Sequence, residues 1–207
     1  RLIVRAQTLS GRAVDRTDTT LAELNEQREK LPARFFHDFR SRGPEDELFY
    51  KWSIPDEWSA RTKGWLITSA GTDNWTSCGV TPHAQVAGDF DITVQFRPVD
   101  MALPKAGKHS QVYLQIEAPD DARTQVSAIF TLQSDGETSA NGQAREIGDD
   151  KSFNYRTIGQ VSLASTDGLR IARRGGEVTL IASDAENGIE LVVTRYDFSL
   201  LPIDPRN

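Results

Sequence analysis

The sequence predicts an all-β protein, two packed antiparallel sheets with one short N-terminal helix. Three observations predict it. Apolar and polar residues alternate with a period of two through several stretches of five to ten residues, the pattern of a strand with one dry and one wet face. Turn signals built from Gly, Pro, Asn and Asp recur about every eight to twelve residues. One stretch alone carries helical spacing. At 207 residues, 38% hydrophobic and 26% charged, the chain has the size and make-up of an ordinary globular fold with one sizeable core.

In chain order, residues 1–18 mix charged and small side chains without a sustained period and read as a linker. Thr20 followed by Glu23 makes a capping box, and Leu21, Leu24, Arg28 and Leu31 fall on helical spacing before Pro32. A helix of about three turns is marginal alone, so its leucines need a surface, expected at the edge of the domain itself. The alternative is a protein partner bound through this helix. The expected divisions are residues 1–32 as linker and helix, 33–201 as the sandwich and 202–207 as a tail.

From Ala33 the period changes to two. ARFFHDFR reads as a short aromatic strand, Leu48 to Trp52 as a second, and GWLITSA and NWTSCGV as two more across a Gly-Thr-Asp turn. The clearest strand runs from Val86 to Asp100: Phe90, Ile92, Val94 and Phe96 form its dry face, and Asp89, Asp91, Thr93, Gln95 and Arg97 its wet one. SQVYLQIEA alternates again, with Val112, Leu114 and Ile116 opposed to Gln111, Tyr113, Gln115 and Glu117. TQVSAIFTLQS points Val126, Ala128, Phe130 and Leu132 inward. Glu137 to Asp150 is polar, with a weak strand near Gln143 to Ile147, and SFNYRTIGQVSLA supplies one or two strands. DGLRIARRGG, EVTLIASD and NGIELVVTRYDFSLL, divided by Gly175-Gly176 and Asn187-Gly188, read as a closing meander. The count is about eleven strands.

The aromatic first strand with Phe35, Phe36 and Phe39, the Gly88-Asp89-Phe90-Asp91-Ile92 strand opening, Val112 to Glu117, and Gly168-Leu169-Arg170-Ile171 with Arg173-Arg174-Gly175 together resemble the concanavalin A-like lectin/glucanase superfamily. The similarity extends from about Arg34 to Leu200 and is closest to uncharacterised bacterial domains of large exported proteins. It implies a jelly-roll of two curved sheets, one concave face of which often receives carbohydrate, and an extracytoplasmic place, whether periplasmic, cell-surface or secreted. These motifs are structural and speak for fold more than for activity.

Laminarinase-type members of that superfamily carry alternating carboxylates on one strand, because retaining hydrolysis needs an acid and a nucleophile about 5 Å apart. Here Asp89 and Asp91 begin such a set, but Thr93 and Gln95 stand where the next acid belongs. The expectation is therefore a module without catalytic residues that binds carbohydrate or protein or serves as a spacer. The alternative is a sugar-active hydrolase or lyase using Asp91 and Glu117. The candidate binding residues are Asp91, Gln95, Tyr113, Gln115 and Glu117, with Trp58 and Trp75 as exposed platforms. Rings stack on sugar C–H faces while amides and carboxylates pair with hydroxyls. Solvated strand faces and anchoring tryptophans would present the same residue types.

A net charge of -6 without a basic patch argues against nucleic acid. No apolar run reaches the ~20 residues of a spanning helix, so no membrane partner is expected. The single cysteine, Cys78, rules out an internal disulfide and a cysteine-built metal cage, and reads as a small buried hydrophobe. His37, His83 and His109 lack ligand spacing, so no metal and no cofactor are expected. Calcium is the one candidate, at Asp120-Asp121, Asp135-Gly136-Glu137 or Asp149-Asp150, where solvated turns are the plainer reading. The start at Arg1 suggests a processed chain or a piece of something longer.

Overall fold

Alternating strands must bury their apolar rows against another layer. The structure, a computed structural model, describes residues 2–7, 20–31, 33–39, 47–52, 60–61, 64–65, 79–83, 86, 88–96, 103–118, 121–147, 152–163, 165–184 and 187–197. The chain forms two units, Arg1–Leu2 with Phe36–Val86, and Ile3–Phe35 with Ala87–Asn207. Its elements in order are β1 (Leu2–Gln7), α1 (Leu21–Lys30), β2 (Ala33–His37), β3 (Phe49–Trp52), β4 (Ala60–Arg61), β5 (Gly64–Trp65) and β6 (Gly79–Pro82). There follow β7 (Asp89–Gln95), β8 (His109–Ala118), β9 (Asp121–Gln133), β10 (Thr138–Ile147), β11 (Phe153–Ser162), β12 (Gly168–Arg174), β13 (Glu177–Asp184) and β14 (Ile189–Asp197).

These strands build an all-β sandwich. One sheet has six strands in the order β14-β13-β12-β7-β1-β2, and the other four in the order β11-β10-β9-β8. The pairings β7–β12–β13–β14 and β8–β9–β10–β11 are antiparallel throughout. Cross-strand register aligns Ile92, Ile171, Leu180 and Thr194 on one face of the larger sheet. Against it lies the apolar face of the smaller sheet, where Val126, Ala128, Phe130, Ala140 and Ala144 are buried. The Phe96 and Phe130 rings meet 5.8 Å apart. Fully burying one such aliphatic side chain is worth about 1.5–3 kcal/mol, so these rows supply the main drive to pair the sheets.

Two glycines set how closely the layers approach. Gly142 and Gly159 are partners across β10 and β11, where β14 crosses beneath. A Cβ on Gly142 would stand 2.7 Å from Thr194 Cγ2, and one on Gly159 2.6 Å from the Val193 carbonyl oxygen. At the β13–β14 turn, Gly188 takes φ +65°, a conformation cheap only for glycine. Asp184 fastens that turn by accepting hydrogen bonds from the Asn187 amide (3.1 Å) and Nδ2 (2.7 Å).

On the second face of the six-stranded sheet, α1 packs over β12, β13 and β14. Thr20 Oγ1 accepts from the Glu23 amide at 3.3 Å and Glu23 Oε2 accepts from the Thr20 amide at 2.7 Å, completing the expected capping box. Those bonds hold the Glu23 carboxyl below its usual range. Leu24, 1% exposed, packs on Ala172 and Ile181, with Leu21 and Val192 beside it. The helix thus lies on a sheet face, where an edge was expected, and Leu21 and Leu24 are spent within the chain.

In the first unit, β3 pairs antiparallel with β6. The buried ring of His37 lies 4.3 Å from that of Phe39 and 4.9 Å from that of Phe49, itself buried.

Four expectations need correction. The reading of residues 1–18 as linker overlooked β1, which the larger sheet takes between β7 and β2. A short strand without alternation is specified by its neighbours more than by its own pattern. Asp91, assigned to a wet face, is 1% exposed, because α1 roofs that side. TQVSAIFTLQS buries both faces: Gln125, Ser127, Ile129 and Thr131 are as enclosed as the apolar set. The polar stretch after Glu137 is a complete ten-residue strand, β10.

Candidate functional site

The expected wet face joined Asp91 and Gln95 to Tyr113, Gln115 and Glu117. The structure separates them. Asp91 and Gln95 lie on β7 in the six-stranded sheet, and Tyr113, Gln115 and Glu117 lie on β8 in the four-stranded one. Trp58 and Trp75 lie outside the described residues, as does Cys78.

Asp91 serves a buried ion network. Arg170 donates from Nε to Asp91 Oδ1 at 2.9 Å and from Nη2 to Oδ2 at 2.8 Å, a bidentate pair. The Arg170 Nη1 donates to Asn25 Oδ1 on α1 at 2.5 Å and stands 3.5 Å from Glu190 Oε1. Arg174 adds bonds to the Phe90 carbonyl (2.9 Å) and Gln27 Oε1 (2.7 Å). Burial pulls the Arg174 guanidinium below its ordinary range, while Asp91 and Asp89 push the other way. Asp89 Oδ1 accepts from the Gly175 amide at 2.7 Å. Two of the motifs that carry the resemblance, Gly88-Asp89-Phe90-Asp91 and Leu169-Arg170 with Arg173-Arg174-Gly175, are therefore the two halves of one structural clamp that α1 closes.

The remaining polar chemistry lies on the face of the four-stranded sheet away from the core, where the β9 side chains are enclosed and exposure rises towards β8 and β11. Register aligns four rows from β8 to β11: Gln111, Thr131, Ser139 and Ser162; Tyr113, Ile129, Asn141 and Gln160; Gln115, Ser127, Gln143 and Thr157; Glu117, Gln125, Arg145 and Tyr155. A shift in register between Gly142 and Gln143 keeps Gln160 and Thr157 on one face although they are three residues apart, as a β-bulge does. A groove of about 170 Å³ runs along the upper rows, lined by His109, Gln111, Thr131, Asn141, Gln143 and Gln160 among others.

The two halves of this face differ. On β8 and β9 the side chains are locked to one another: Tyr113 OH donates to Gln111 Oε1 and Gln111 Nε2 to Thr131 Oγ1 at 3.1 Å. Gln125 Nε2 donates to Gln115 Oε1 at 2.7 Å and to Ser127 Oγ at 2.9 Å, and Gln115 Nε2 to Glu117 Oε1 at 2.7 Å. Asn141 reaches across with Nδ2, to Thr131 Oγ1 at 2.9 Å and Ser139 Oγ at 3.2 Å. This fixes the direction of each amide and leaves Asn141 Oδ1 facing no donor among the described residues. Gln143, Thr157 and Gln160 make no side-chain hydrogen bond to the described residues. The face thus joins an ordered floor to a row of open donors and acceptors.

Aromatic rings rise at both sides. Tyr113 on β8 is 41% exposed, and Tyr155 and Phe153 on β11 are 56% and 55% exposed. Burial, and then the nearby Tyr155 phenol, raise the Tyr113 hydroxyl above its ordinary pKa, so it stays a neutral donor.

Sequence reasoning found Tyr113, Gln115 and Glu117 and missed Thr131, Asn141, Gln143, Arg145, Tyr155 and Gln160. A signal existed. In TSANGQAREI the residues Ser139, Asn141, Gln143 and Arg145 alternate with Ala140, Gly142 and Ala144, and the small size of the inward set disguised a strand as a polar loop. Among the described residues no group of three or more His, Cys, Asp or Glu is arranged to hold a metal ion, and no helix is long and apolar enough to cross a membrane. At one calcium candidate, Asp135 Oδ1 instead accepts from the Glu137 amide at 3.0 Å.

Residues 7–206 match the model of a family described as protein of unknown function (DUF1583) C domain. No curated protein and no solved structure matches the chain.

Proposed function

The chain belongs to this family of DUF1583 C domains, and from that footing we propose that it is a non-catalytic, lectin-like module that binds a carbohydrate chain across the outer face of the β8–β11 sheet. The observation that carries this reading is the pairing of an open amide and hydroxyl row, Asn141, Gln143, Thr157 and Gln160, with exposed Tyr113 and Tyr155 on the flanking strands. Sugars offer both hydroxyls and flat C–H faces, so amides in fixed orientation and partly exposed rings answer both at once. Locking Gln111, Thr131 and Asn141 in advance lowers the ordering cost of binding. The groove of about 170 Å³ is smaller than a drug-sized pocket of roughly 300 Å³ or more, which suits one ring of an extended chain lying along the strands.

The placing of the acids supports binding over hydrolysis. Asp91 is committed to Arg170 in the other sheet, so it does not join Glu117 as the two-carboxylate pair that glycoside hydrolysis uses. The resemblance to concanavalin A-like domains agrees with this reading, and with a role in an exported bacterial protein.

A glycan array tests it. Binding to an oligosaccharide class, weakened at least tenfold in Gln143→Ala with unfolding temperature unchanged, supports the proposal. No binding to any glycan at millimolar concentration overturns it and leaves a protein-binding or spacer role.

A further inference from the structure

At the lower end of the same face, Arg145 is a cation held short of partners. Its side chain is 14% exposed and, among the described residues, makes one ion pair, from Nη2 to Glu117 Oε1 at 3.4 Å. Its buried Nε has no hydrogen-bond partner among the described residues. A guanidinium offers five N–H donors, and charge-assisted contacts usually close to about 2.7–2.9 Å, so the pair to Glu117 is long and leaves most of the fork unused. Enclosing such a group without satisfying it is costly. Its position is nevertheless fixed. The guanidinium carbon lies 5.0 Å from the centre of the Phe153 ring, Tyr155 is its register partner on β11 and Gln125 its partner on β9. Gln125 Nε2 is itself spent on Gln115 and Ser127.

Glu117 is the weaker half of the pair. Its side chain is 43% exposed, and Oε1 is shared between Arg145 and the Gln115 amide. An exposed carboxylate in long contact with a half-buried guanidinium whose enclosed Nε is unsatisfied occupies the place that a ligand's carboxylate would take with better geometry.

We infer that the carbohydrate this face receives is acidic, a chain of uronic-acid type, and that Arg145 binds one of its carboxylates in place of Glu117. The inference rests on the carbohydrate reading above. The Phe153 and Tyr155 rings then border the charged sugar, and the open amides of Gln143 and Gln160 and the Thr157 hydroxyl meet the neighbouring rings. Displacing Glu117 opposes binding, so removing its charge favours it.

Calorimetric titration of the chain with hexamers of galacturonate, alginate and hyaluronan, beside neutral hexamers of xylose, glucose and galactose, tests the inference. The expected result is that one acidic hexamer binds at least tenfold more tightly than every neutral one and weakens as salt rises. Arg145→Gln removes that preference, Arg145→Lys restores part of it because the charge remains without the planar fork, and Glu117→Gln tightens binding several-fold. Neutral hexamers binding as well as acidic ones, with Arg145→Gln indifferent, would overturn the acidic specificity and leave the carbohydrate reading standing. No binding by any hexamer would overturn both. If Arg145→Gln does not fold, Glu117→Gln decides: tighter binding of the acidic hexamer supports the inference, and unchanged affinity overturns it.

Discussion

Tyr113 shows how one side chain becomes part of a site. Alternation in SQVYLQIEA already turned it outward, and the structure adds what a single strand does not encode, namely the Gln111 acceptor and the approach of Tyr155 from the far edge of the sheet. Tyr155 itself was hidden, because Phe153, Tyr155 and Thr157 alternate with the equally exposed Asn154 and Arg156, and no buried row marks one side as dry. The raised Tyr113 pKa has a signed consequence. The folded state holds its proton more tightly than the unfolded one, so the associated stability is full below the ordinary tyrosine range near pH 10 and is lost as pH rises through the folded value. Burial is the larger cause and Tyr155 the smaller. Tyr155→Phe is therefore expected to bring the Tyr113 titration, followed by NMR of labelled rings, part of the way back to the ordinary value. A complete return would contradict the ranking of the causes.

Among the elements, α1 is the one whose role the sequence showed only in outline. Its capping box and leucine spacing were plain, but the surface awaiting it was not. That surface comes from β12, β13 and β14, residues more than a hundred positions away. The acidic strand opening at Asp89 and Asp91 looked like the start of a catalytic set because local pattern does not reveal Arg170 and Arg174 across the ladder. Buried ion pairs are costly to break from one side, by about 3–5 kcal/mol. Asp91→Asn and Arg170→Met are each expected to destabilise the chain by amounts of that order in urea unfolding. The double variant should lose less than their sum, with a coupling of about 0.5–3 kcal/mol. Additive losses would show that the pair is incidental to the docking of α1.

On the scale of the whole molecule, the all-β class followed from alternation and turn spacing, and the closing meander β12–β14 was legible strand by strand. Sheet membership was not. Whether β7 stands beside β8 or beside β12 is decided by long-range pairing, and the choice splits the first set of candidate residues between two sheets. The distance between those sheets depends on Gly142 and Gly159, whose partners on β13 and β14 no local pattern announces. Gly159→Ala should force Val193 and Thr194 aside and cost about 1–3 kcal/mol, as overpacking does, measured as a lower unfolding temperature. An unchanged temperature would mean that the layers yield freely there.

The outer face of the β8–β11 sheet is the proposed binding surface. Backbone and side-chain amide NMR shifts, followed while an array-selected oligosaccharide is added, test it most directly. Saturable shifts are expected at Tyr113, Asn141, Gln143, Arg145 and Tyr155, with Leu24, Asp91 and Arg170 unmoved. Shifts confined to residues off that face, or none at millimolar sugar, would contradict it.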